Sequence, residues 1–188
     1  SYGALLYDCP AAQTAPGGTS PDICGGQEIV ADVKHNQTND VNADAGIWLR
    51  YDSKDPAQGY LIIVTGDTNP TPAVGGPGHL IIQRNNGTAG SGCCTYPAGS
   101  TNATTNPALD GAWYTVRAVE VTPGHILAKF WPRGTVEPAG WMIDYTDPSP
   151  LPCGNNTDSM TWKPGIAGQN AETHYDNFHV YSSASLNT

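Results

Sequence analysis

Basic residues are scarce in this chain. Eight Lys and Arg stand against 17 Asp and Glu, a formal net charge of −9; phosphate binding relies on clustered Lys and Arg, so nucleic acid is not an expected partner. Divalent cations are the more natural counterions. Charged residues of both signs make up only 13% of the sequence, while Gly 22 and Pro 16 are plentiful. That balance favours many short strands joined by turns, hence an all-β fold. No apolar run approaches the roughly 20 residues that span a bilayer, and no basic segment leads into an apolar one as in a signal peptide. Internal repeats, a separable linker and a convincing amphipathic helix are also missing. The 188 residues suit one domain able to bury a sizeable core.

The five cysteines contain no CxxC pair and no Cys/His spacing suited to zinc, so disulfides are the better reading. Cys9 with Cys24 would close a short N-terminal loop, and one of Cys93 or Cys94 with Cys153 would staple two long loops. The fifth thiol is left either buried and inert or bonded to a neighbouring subunit. Four sequons, at Asn36, Asn86, Asn102 and Asn155, each fall in an expected loop, where glycan would be tolerated. Together with a chain that opens at Ser1, they lead us to expect a mature secreted product whose signal peptide has been removed.

Several segments alternate with a period of two. In Glu28 to Lys34, Ile29, Ala31 and Val33 share a face. In Ala45 to Tyr51, Ile47, Leu49 and Tyr51 share one face and Trp48 and Arg50 the other, more polar one. Tyr60 to Thr65 is apolar throughout and suits a central strand; His79 to Arg84 follows it. Val119 and Val121 alternate with Ala118 and Glu120, Pro123-Gly124 makes a turn, and Ile126, Ala128 and Phe130 alternate with His125, Leu127 and Lys129. Trp141 to Tyr145 adds a third strand through connections too short for a parallel crossover, so this stretch is an antiparallel meander. Asn85 to Asp110 and Asp147 to Gly168 read as long loops, and Glu172 to Tyr181 closes the chain. Gly3 to Tyr7 is a short apolar strand followed by a Gly/Pro/Ser/Thr-rich leash. It either edges its own sheet or pairs with a neighbouring copy.

The spelling of the meander, Trp113-Tyr114-x-Val116-Arg117, then Ala128-Lys129-Phe130-Trp131-Pro132-x-Gly134, then Glu137-Pro138-Ala139-x-Trp141, resembles the laminin-G-like branch of the concanavalin A-like jelly rolls. Ala45 to Tyr51 resembles that branch's central strand and Tyr175 to Val180 its closing strand. The resemblance implies a two-sheet antiparallel jelly-roll sandwich over about residues 25 to 182, in a single domain of residues 25–188 with residues 1–24 as an N-terminal arm. It is specific for fold and weak for function, because this fold hosts lectins, glycosidases, lyases, adhesins and spacers.

Glycosidases of this fold carry their acids in an E-x-D-x-x-E run on one strand, and none occurs here. His79, Gln83 and Arg84 imitate part of a lyase site, but coincidence is the better account of them. No nucleophile has recognisable local context, so no catalytic residue is assigned. In the closing strand, Asp176 shares a face with Phe178 and Val180, which places it beside the core, where an unpaired carboxylate is costly. Its partner is then either an arginine, Arg117 or Arg50, or the structural Ca²⁺ that the resembling jelly rolls often hold, with Glu28, Asp32 and Asp8 as candidates to complete the shell. Trp48 and Arg50 lie where the resembling lectins have their groove and are the expected ligand face; Trp131 and Trp141 are expected to brace the meander, and Trp113 to be core. The functional expectation is a non-catalytic extracellular subunit that assembles with copies of itself into a filament or sheath. A carbohydrate-binding module for a polysaccharide is the alternative, and a lyase or glycosidase comes third.

Overall fold

The computed structural model describes residues 3–6, 27–36, 44–52, 58–65, 79–86, 94–95, 101–103, 111–151, 162–169 and 172–181. In chain order the strands are β1 (Gly3–Leu6), β2 (Gln27–Asn36), β3 (Asp44–Asp52), β4 (Gln58–Thr65), β5 (His79–Asn86), β6 (Cys94–Thr95), β7 (Thr101–Ala103), β8 (Tyr114–Thr122), β9 (His125–Pro132), β10 (Ile143–Thr146), β11 (Trp162–Gln169) and β12 (Glu172–Tyr181). One sheet has the order β1-β11-β3-β4-β5-β6, with β7 also on β5; the other runs β10-β9-β8-β2-β12. Every pairing is antiparallel. Among the described residues there is no helix, and so none long and apolar enough to cross a membrane. This is the expected jelly-roll sandwich.

The alternation that defines the strands also builds the core. Ile29, Ala31 and Val33 of β2, Ile47 and Leu49 of β3, Ile62 and Val64 of β4, and Ile126, Ala128 and Phe130 of β9 meet between the sheets in one buried cluster. β4 lies between β3 and β5 and is buried on both faces from Gly59 to Thr65, as its unbroken apolar run requires. In β8 the core face carries Tyr114, Val116 and Ala118, and Glu120, wholly buried, follows them. Its Oε1 accepts the Gly124 amide at 2.8 Å in the hairpin turn. Gly124 has φ +78°, and a Cβ there would lie 2.9 Å from Pro150 Cβ, so this turn position takes glycine on two grounds.

Two polar ties join the sheets. Asp147, just after β10, accepts the Tyr60 hydroxyl and Arg84 Nε, both at 2.7 Å, and the Ser149 amide at 2.9 Å. Tyr175 of β12 donates its hydroxyl to the Ala167 carbonyl and accepts the Gly46 amide at 3.3 Å.

The structure departs from the sequence reading in three places. β11 lies inside the expected loop from Asp147 to Gly168, yet it pairs with both β1 and β3. Its sequence WKPGIAGQ has no alternation to find, and Pro164 sits where the register with β3 slips between Lys163 and Gly165, as proline in a paired strand demands. β6 and β7 lie inside the expected loop from Asn85 to Asp110. The sequons are not all in loops: Asn36 and Asn86 end β2 and β5, and Asn102 is the middle of β7, because pairing continues past the last apolar residue. Asn155, Cys9, Cys24, Cys93, Cys153 and Asp8 lie outside the described residues, as does the side chain of Cys94.

Candidate functional site

The face of the five-stranded sheet that turns away from the core carries a connected group of cations, acids and indoles. Arg117 of β8 and Lys129 of β9 are direct cross-strand partners, and their alternation against buried Ala118, Ala128 and Phe130 points both outward. The connection from β9 to β10 folds back over them. Glu137 Oε1 receives Arg117 Nη1 at 2.7 Å and Lys129 Nζ at 2.6 Å, and the Pro138 carbonyl accepts Lys129 Nζ at 2.8 Å. Lys129 Nζ also lies 4.6 Å from the centroid of the Trp141 ring and 6.0 Å from that of Trp131, and Arg117 Cζ lies 5.8 Å from Trp141. The Lys129 side chain is thereby left only 6% exposed, a burial tolerable because carboxylate, carbonyl and π faces all meet the ammonium.

The electrostatics are set by these contacts. Burial pushes Glu137 up, but the hydrogen bonds from Lys129 and Arg117 outweigh it and hold the carboxyl below its ordinary value. Burial pulls Arg117 down, and Glu28 and Glu137 more than offset that. Both groups therefore stay charged at neutral pH. Among the described residues, both Glu137 contacts fall on Oε1 and the Arg117 contacts on Nη1 and on Nε, 2.5 Å from Glu28 Oε1. Glu137 Oε2 and Arg117 Nη2 carry none of these contacts, and Trp141, whose ring lies 5.8 Å from Arg117 Cζ, is 37% exposed. An open indole flanked by a carboxylate oxygen and a guanidinium nitrogen can hold a flat, partly apolar, hydroxyl-bearing ring.

A second cluster on the same face shows what became of Asp176. Asp176 stands opposite Asp32, and the register then slips before His179, with Asn177 at φ 49°. This β-bulge breaks the period of two: Phe178 and Val180 pack against the core, while the Asp176 side chain is 50% exposed. Among the described residues its partner is Arg133 rather than Arg117; the side chain of Arg50 lies outside them. Arg133 Nη2 donates to Asp176 Oδ2 at 2.8 Å, and Arg133 Nε lies 3.0 Å from Asp32 Oδ2. Arg133 and the Asn177 amide hold the Asp176 carboxyl below its ordinary value. Buried Asp32 also accepts Thr115 Oγ1 at 2.6 Å and Asn177 Nδ2 at 2.7 Å. Arg133 stacks 5.0 Å from the Trp113 centroid, with Lys34 at 5.3 Å, so Trp113 is a half-buried outer-face residue rather than core. Glu28, the other described shell candidate, is buried against Arg117. Among the described residues the Arg133 guanidinium stands between the Asp32 and Asp176 carboxylates, and Asp8 of the expected calcium shell lies outside them.

The expected ligand face is rearranged as well. Trp48 does lie on the non-core face of its strand, but it is only 1% exposed, in a second apolar cluster with Leu61, Ile63, Ile81 and Ala167. A ring so covered offers no stacking surface. β3 slips register between Trp48, opposite Leu61, and Arg50, opposite Tyr60. The side chain of Arg50 lies outside the described residues. Trp131, 8% exposed, braces the meander as expected; Trp141 packs on Lys129 and Arg117 of the meander and keeps 37% of its surface exposed. The sequence reading gave Arg133 and Glu137 no site role and gave Trp141 a bracing one in preference to a ligand one; the available signal was a carboxylate four positions before a tryptophan in a Pro/Gly-rich connection.

No protein-family model matches the chain, and no curated protein matches it in sequence. Among solved structures, the carbohydrate-binding module CBM66 from Bacillus subtilis superposes with a TM-score of 0.55 at 15% identity, over 83% of this chain and 74% of that one. A variant of human galectin-16 superposes with a TM-score of 0.51 at 8% identity, over 95% of this chain and 94% of that one. The likeness is one of fold, the antiparallel jelly-roll sandwich that these structures share with this chain.

Proposed function

We propose that this chain is a non-catalytic carbohydrate-binding domain acting outside the cell, of the laminin-G-like kind its meander resembles, and that Trp141, Glu137 and Arg117 hold the sugar. One observation carries the reading: Trp141 is the exposed indole among the described residues, and ionised Glu137 and Arg117 are fixed at its side through Lys129. The ring takes the apolar face of a pyranose, Glu137 Oε2 accepts from one hydroxyl and Arg117 Nη2 donates to its neighbour. Because Lys129 and the sheet hold all three in place, little side-chain freedom is lost on binding. A general acid of a glycosidase needs a carboxyl pushed upward, whereas Glu137 is held down, which supports retention of a sugar over its hydrolysis.

The test is a glycan array followed by electrophoresis in gels containing the hit polysaccharide. Retardation of the parent chain is the expected result, and it should be lost in Trp141→Ala while melting stays within a few degrees. Failure of the parent to bind any glycan, or equal binding by Trp141→Ala, would overturn the assignment.

A further inference from the structure

We infer that β1 is an exchangeable strand, and that Gly3–Leu6 of one copy can seat on β11 of a second copy and link the chains head to tail. In the closed form β1 pairs, among the described residues, with β11 alone, through Gly3↔Gly168, Ala4↔Ala167, Leu5↔Ile166 and Leu6↔Gly165. It is the outermost strand of its sheet and among the shortest, so its local opening costs far less than global unfolding. Once it leaves, Gly165 to Gly168 present an unpaired edge, the template to which another extended segment adds. The segment of fitting register that every copy carries is β1 itself. Leu5 stands opposite Ile166, which packs against the main core, so a foreign β1 restores the same row of the sandwich as the native one.

The leash permits the exchange. Residues 7–26, with three prolines and four glycines, join β1 to β2 of the opposite sheet. With Cys9 and Cys24 reduced, about 20 extended residues reach roughly 66 Å, against a diameter of about 40 Å for a compact domain of this length, and the strand can pass beyond its own domain; a Cys9–Cys24 disulfide would cut that reach to about 25 Å. Closed and exchanged forms make the same backbone hydrogen bonds, so the balance is set by concentration. A tethered strand faces its own edge at an effective concentration of about a millimolar. Dilute protein is therefore closed, and exchange sets in as subunits approach that density, as they would when crowded on a surface. The contact is heterologous, arm to edge, and a series that does not close into a ring extends as a filament. This inference does not depend on sugar binding.

The test uses two single variants, Ala4→Cys and Ala167→Cys, and the double variant, each in a Cys9→Ser, Cys24→Ser background so that the leash keeps its full reach under oxidation. Antiparallel partners stand about 4.5 to 5.5 Å apart at Cα, within disulfide range. The double variant, dilute and treated with diamide, should close its new disulfide within one chain, as read by peptide mass spectrometry. Mixed single variants should give a covalent dimer joined through Cys at positions 4 and 167, with a yield that climbs toward millimolar protein; Ala4→Cys alone should give no such species. Closure in the double variant without the mixed dimer at any concentration would overturn exchange. Absence of closure in the double variant would overturn the seating of β1 on which it rests.

Discussion

Removing the Arg133 guanidinium should expose how the outer face of the five-stranded sheet is held. In Arg133→Ala the buried Asp32 carboxylate keeps Thr115 and Asn177 but loses its only cation among the described residues. A hydrogen bond to a charged group contributes about 1.5 to 3 kcal/mol, and Arg133 is 36% exposed, so solvent screening reduces this to about 1 to 2. Loss of the stack on Trp113, 5.0 Å away, adds about 0.5 kcal/mol. The total of about 2 kcal/mol corresponds to about 4 to 8 °C in melting temperature for a domain of this size. Arg133→Met keeps the stem over the indole and should lose most of the same amount, which separates charge from packing. Calorimetry with and without a chelator completes the experiment. Guanidinium between the two carboxylates means that chelator leaves the parent's melting temperature unchanged; a drop of several degrees would refute the reasoning and restore a calcium ion at Asp176.

Asp147→Ala removes one acceptor from Tyr60, Arg84 and Ser149 at the join between the sheets; about 3 kcal/mol is expected, near the lower end for breaking a buried pair because Arg84 is 19% exposed, read as a loss of about 6 to 12 °C. Gly124→Ala forces a Cβ into φ +78° and against Pro150 and should cost about 1 to 3 kcal/mol in urea unfolding. Glu137 and Asp176 have folded pKa values below their ordinary 4.5 and 3.8, so the stability they contribute is present above those values. It is lost as pH falls through the lower folded ones; melting temperature should decline below about pH 4.5, and Glu137→Gln should flatten part of that decline.

What the sequence disclosed follows from what periodicity encodes. Alternation located β2, β3, β8, β9 and β12 because each has one face in the core, and the apolar run of β4 marked a strand buried on both sides. The Pro123-Gly124 turn was legible since its backbone needs a glycine. β11 was hidden because Pro164, Gly165 and Gly168 carry no face information; it is held by neighbours on either side rather than by its own preference. One register slip misled the site assignment most. A bulge shifts every later side chain to the other face, so Asp176 was placed with Phe178 and Val180. Nothing in the segment announces the extra residue, apart from Asn177, a residue tolerant of positive φ. Whether an outward face stays open is likewise absent from periodicity. Trp48 was correctly placed on its face and is nonetheless covered, while Trp141, in a connection without period, is the open ring.

The most direct test of sugar binding by this chain is isothermal titration of the array's best glycan into the parent, Trp141→Ala and Trp48→Phe. An aromatic anchor at a binding centre contributes about 2 kcal/mol or more, so Trp141→Ala should weaken affinity by about 30-fold at near-parental stability. Trp48→Phe, at a ring 1% exposed, should lower the melting temperature and leave affinity within about twofold, a difference of about 0.4 kcal/mol. The opposite pattern, affinity lost in Trp48→Phe and kept in Trp141→Ala, would contradict the account.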